Sequence, residues 1–66
     1  MDPEFSRRLG QDLGHFARHV HSWAEWRAAW EVENRIRDWA SNNPTASWET
    51  MPEEFRAYIL LVERTA

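Results

Sequence analysis

Three tryptophans at positions 23, 26 and 30 constrain this chain more than any other feature. Steps of three and then four residues put all three indoles along one side of a helix. Trp39 and Trp48 bring the total to five in 66 residues. Each large aromatic side chain has roughly 150–250 Å² to bury, and a domain this small encloses a modest share of its surface. Either the fold is centred on tryptophan or part of this surface faces a partner. There is no cysteine, so neither disulfides nor a thiolate zinc site can staple the chain. Stability must come from aromatic burial, helix packing or association.

Residues 1–5 read as cloning-derived, because Asp-Pro-Glu-Phe is what two adjacent restriction sites encode in one frame. They are set aside from the functional argument. Residues 6–66 then form a single domain, expected to be a fragment of a larger protein or a small accessory protein. All eight basic residues are arginines, set against eleven acids for a net charge of −3. Arginine without lysine suggests a GC-rich coding sequence and a bacterial, phage or viral source. A mildly acidic chain has no overall field that attracts nucleic acid or an anionic membrane. The longest apolar run, from Ala57 to Val62, is far too short to span a bilayer. The expected location is the cytoplasm.

No proline interrupts residues 6–40. Leu9, Leu13, Phe16 and Val20 recur at helical spacing and predict a first helix over about 6–20. Gly10 and Gly14 weaken it, each by about 1 kcal/mol relative to Ala. A break or bend is expected around His21-Ser22, where Ser22-Trp23-Ala24-Glu25 matches a capping box. The second helix, about 23–40, is the strongest. Its polar face of Arg27, Glu31, Asn34, Arg35 and Asp38 is narrow, and an apolar arc covers more than half its circumference. Ser41 to Ser47 reads as the main loop. Thr50-Met51-Pro52-Glu53 repeats the capping pattern and opens a third helix over about 51–64. The fold expected is a small all-α, three-helix domain with a Trp-rich central helix.

Bland explanations cover most chemical constellations. His15 and His19 stand one turn apart but lack a distant third and fourth ligand, so no metal site is assigned. The hydroxyls sit at predicted caps or in the loop, and Glu31–Arg35 and Glu33–Arg37 are local pairs. No nucleophile or acid–base pair is left over; the chain is read as non-catalytic and without a cofactor. Within the tryptophan set, Trp26 is expected in the core with Ala29, Ile36 and Ala40, and Trp48 as a loop lid. Trp23 and Trp30 lie on one edge of the arc and Trp39 on the other, where a rigid ring can fill a partner's pocket. Glu33 and Arg37 fall inside the arc, as an interface tolerates better than a core. The function expected is protein–protein docking or assembly through Trp23, Trp30, Arg37 and Trp39, with a homodimer as one form. The alternative, from a different class, is nucleic-acid binding through Arg7, Arg8 and Arg18 of the first helix. Against it stand the negative charge and the acidic neighbours of several arginines.

Overall fold

The computed structural model describes residues 2–19 and 22–65. It is an all-α domain of three helical segments, the first divided in two: α1 (Pro3–Asp12), α2 (His15–His19), α3 (Trp23–Asn42) and α4 (Glu53–Thr65). At 1.5 Å per residue the twenty residues of α3 span about 30 Å, most of the molecule's 35 Å long axis. The other helices are laid against this rod.

Helix α1 begins earlier than the stripe alone suggests. The Asp2 carboxylate accepts from the Glu4 amide at 3.1 Å, Pro3 occupies the first turn, and Glu4 adds an acid at the positive end. Together these are strong start signals, so the segment read as cloning-derived folds as helix whatever its origin. The helix ends when Leu13 turns extended and Gly14 adopts a φ of +94°, a conformation that favours glycine. The expected single helix over 6–20 is therefore broken at Leu13-Gly14. Gly10, by contrast, meets no close neighbour and gains nothing from lacking a side chain. The expected bend at His21 lies outside the described residues, as does Val20. Ser22 does cap α3, its hydroxyl accepting from the Glu25 amide at 3.2 Å.

Asn43 closes α3 by donating from its side chain to the Trp39 carbonyl at 2.7 Å, and Pro44 prevents continuation. In the loop that follows, Thr50 does not cap the last helix. Its hydroxyl accepts from the Ser47 amide at 3.0 Å and donates back to carbonyls of the same loop. Helix α4 starts three residues later, at Glu53. The run Tyr58 to Val62 is helical, and no strand occurs among the described residues.

The core joins Phe5 and Leu9 of α1, Ile36 and Ala40 of α3, Ala46 and Met51 of the loop, and Phe55 and Ile59 of α4. Trp39 packs against it, edge-on to Phe5 (ring centroids 6.2 Å apart, planes at 88°) and to Phe55 (6.2 Å, 63°). Phe5 itself is only 5% exposed. Removing a buried phenylalanine ring costs about 3–5 kcal/mol. A 66-residue domain has a total stability of only about 3–10 kcal/mol. Phe5→Ala is therefore expected to lower the melting temperature sharply and to wet Trp39. A thermal melt followed by tryptophan emission measures both, and an unchanged melting temperature would contradict the packing described.

Candidate interaction surface

The site starts from which residues of α3 face the core. Ala29, Ile36 and Ala40 take that line, and all three are buried. Trp26 stands to one side of it at 100° per residue. It is only partly buried and does not belong to the core cluster, which corrects the expectation that it is core. Small alanines let neighbouring helices approach, and an indole would hold them apart. Trp26 instead stacks on both neighbours in the row. Its ring lies 5.0 Å from Trp23 with planes at 18°, and 6.3 Å from Trp30 with planes at 19°. Trp23 is 70% exposed and Trp30 43%. The Arg27 guanidinium sits 5.1 Å from the centre of the Trp30 ring while pairing with Glu31 at 3.1 Å. The result is a nearly parallel, solvent-facing row of three indoles with an arginine at its flank.

The structure groups Trp23 and Trp30 and separates them from Trp39, which is engaged with Phe5 and Phe55. Because Phe5 was set aside with the leading residues, nothing in the sequence reading covered Trp39. Arg37 lies one helical stretch beyond Trp30 on the same side of α3, half-exposed and 3.8 Å from Glu33. Glu33 does not belong to an interface. It is 3% exposed and accepts from the Tyr58 hydroxyl at 2.5 Å. Burial and that carboxylate together raise the Tyr58 pKa. Sequence reasoning missed this pair because its partners are 25 residues apart.

Arg7 and Arg8 are engaged by carboxylates. Arg7 pairs with Glu4 at 2.7 Å. Arg8 grips Glu63 of α4 through two bonds of 2.7 and 2.8 Å and lies 4.0 Å from the centre of the Trp48 ring. Trp48 therefore does fold back over the core, as a lid clamped by a cation. Arg18 is exposed on α2. Arg35 pairs across to Glu54 rather than with Glu31. His15 and His19 lie 4.6 Å apart, ring centre to ring centre, and no group of three or more potential metal ligands occurs among the described residues.

On the opposite flank of α3 an open apolar groove of about 760 Å³ runs between α2, α3 and α4. Phe16, Val32, Tyr58 and Leu61 line it together with the small side chains of Ala28, Ala29 and Ala57, and His19, Glu25 and Glu54 add polar groups. Phe16 meets Tyr58 edge-on at 5.7 Å. The breadth of the apolar arc on the central helix signalled a second covered side, but the α2 wall was invisible without the break at Gly14. Among the described residues no helix is long and apolar enough to cross a membrane.

Compared with known proteins, the chain matches no family model, and no curated protein or solved structure matches it. The surface chemistry has to be read from the chain itself.

Two expectations follow from these contacts. Tyr58→Phe leaves the buried Glu33 carboxylate without its hydroxyl donor, at a cost of about 1–3 kcal/mol, readable as an earlier denaturant midpoint; an unaltered midpoint would show that Glu33 does not depend on Tyr58. Near Arg8, burial and the neighbouring Glu63 raise the Asp12 carboxyl from 3.8 to about 6, while the Arg8 and Asp12 hydrogen bonds lower Glu63 from 4.5 to about 2. The stability Asp12 contributes is complete in acid and is lost as pH rises through about 6. That from Glu63 is lost as pH falls below about 4.5 towards 2. The parent should melt lower at about pH 7 than at about pH 4.5 relative to Asp12→Asn, whose amide keeps the hydrogen bond without titrating. Parallel melting curves across that range would refute the assignment.

Proposed function

We propose that this chain is a non-catalytic protein-interaction module whose contact surface is the Trp23–Trp26–Trp30 row of α3, flanked by Arg27 and Arg37. One observation carries the reading: the core is filled by Phe5, Leu9, Ile36, Met51, Phe55 and Ile59, so the three stacked indoles are not needed to close it. The total surface of 4498 Å² is near the roughly 4,400 Å² expected of a compact monomer of this mass. The exposure of Trp23 and Trp30 therefore does not come from a loose fold. Rigid aromatics beside arginine are the composition of binding hot spots.

A second reading draws on the same row. Exposed indoles beside arginines also stack on unpaired bases, whereas Arg7 and Arg8 of the earlier nucleic-acid alternative are held by Glu4 and Glu63. Salt-dependent quenching of tryptophan emission by a single-stranded oligonucleotide would support it, and no quenching at low salt would remove it.

The docking reading predicts that the double variant Trp23→Ala/Trp30→Ala melts within a few degrees of the parent. Peptides selected from a randomised library on the immobilised parent should bind that variant about tenfold more weakly or worse. Outright unfolding of the variant, or selected peptides indifferent to it, would overturn the proposal.

A further inference from the structure

We infer that the partner of the tryptophan row is a second copy of this chain, which receives the row in its apolar groove, head to tail. The inference rests on the docking reading above and names its occupant. The chain carries both halves of such a contact. Trp23 and Trp30 project from one side of α3, and the groove opens on another, roughly 140° around the helix at 100° per residue. One copy can therefore present its row while its own groove stays open.

Charge agrees with shape. Arg27 and Arg37 flank the row, and Glu25 and Glu54 line the groove together with His19. The pairs Arg27–Glu31 and Arg35–Glu54 are more than half exposed on both sides. Such surface pairs are worth about 0–1 kcal/mol, so Arg27 and Glu54 can be re-paired across an interface at little cost, while Arg37 keeps its contact with the enclosed Glu33. A row-to-row contact would instead bring the arginines of both copies together. A groove of about 760 Å³ lies in the size range of pockets that take a drug-sized molecule, which leaves room for more than one indole of the row. A standard contact buries about 800 Å² on each partner, under a fifth of the 4498 Å² available.

A contact between two different patches is heterologous, so copies add in series until the rotation closes a ring or a filament grows. Complementation tests this directly. Trp23→Ala/Trp30→Ala removes the row and keeps the groove. Ala57→Arg, at an exposed position lining the groove, fills and charges the groove and keeps the row. Leu61→Arg serves the same purpose if Ala57→Arg melts early. In light scattering over a concentration series, the parent should rise in mass past a dimer. Each variant alone should stay at 7.9 kDa, and an equimolar mixture should reach about twice that mass and stop. A parent that stays monomeric at every concentration would overturn the second-copy inference while leaving the docking reading to the library experiment. Dimers of the groove variant alone would also overturn it, in favour of a twofold contact between rows.

Discussion

The rest of the structure depends on the edge-on seating of Trp39 between Phe5 and Phe55. These three rings belong to α1, α3 and α4, so a single contact ties the first and last helices to the central one. Edge-to-face pairs add about 0.5–1.5 kcal/mol beyond the area they bury. A chain without disulfides has few other ways to join three short elements. Once this corner is closed, Ile36 and Ile59 are fully enclosed and the loop can fold Ala46 and Met51 inward. Tryptophan early in α3 is then surplus to the core. The division of labour along one helix follows: its second half holds the domain together and its first half offers aromatic surface.

Charge supplies the second layer of order. Arg8 stacks on Trp48 and grips Glu63, so one guanidinium joins α1, the loop and α4. Its planar fork suits both tasks in a way an ammonium group would not. On the other side Arg35 lies 5.5 Å from the centre of the Phe55 ring, and its pair with Glu54 is the more exposed and more readily opened of the two. The arginine-only composition thus has a structural use here, and it leaves Arg27 and Arg37 to colour the exposed face.

Periodicity made the fold class, the long central helix and the Ser22 cap legible, because each is written within a few neighbouring residues. Trp23 and Trp30 were legible as surface for the same reason. What could not be read depended on partners distant in sequence. Glu33 lay on an apolar arc with no visible reason to be buried until Tyr58 came to meet it. Trp39 looked like an edge residue because the segment containing Phe5 had been set aside. Local pairing rules placed Arg35 beside Glu31, whereas a partner on α4 wins because the helices pack there. The groove depended on the helix break at Gly14, where two glycines in one stripe gave equal warning and only one adopts the left-handed conformation.

The Glu33–Tyr58 bond has a consequence for the uniqueness of the fold. Helices α3 and α4 pack through apolar stripes, and such stripes can fit together in more than one alignment. A slip of one turn, about 5.4 Å, would return many of the same apolar contacts. It would also carry the Tyr58 hydroxyl away from a carboxylate enclosed in protein and leave it only the longer contact with Arg37 at 3.8 Å, and a buried charge that loses a hydrogen-bonding partner is destabilising. The polar pair thereby acts as a registration pin. Beyond the stability it adds, it decides which alignment the two helices keep, and with it where the walls of the groove stand.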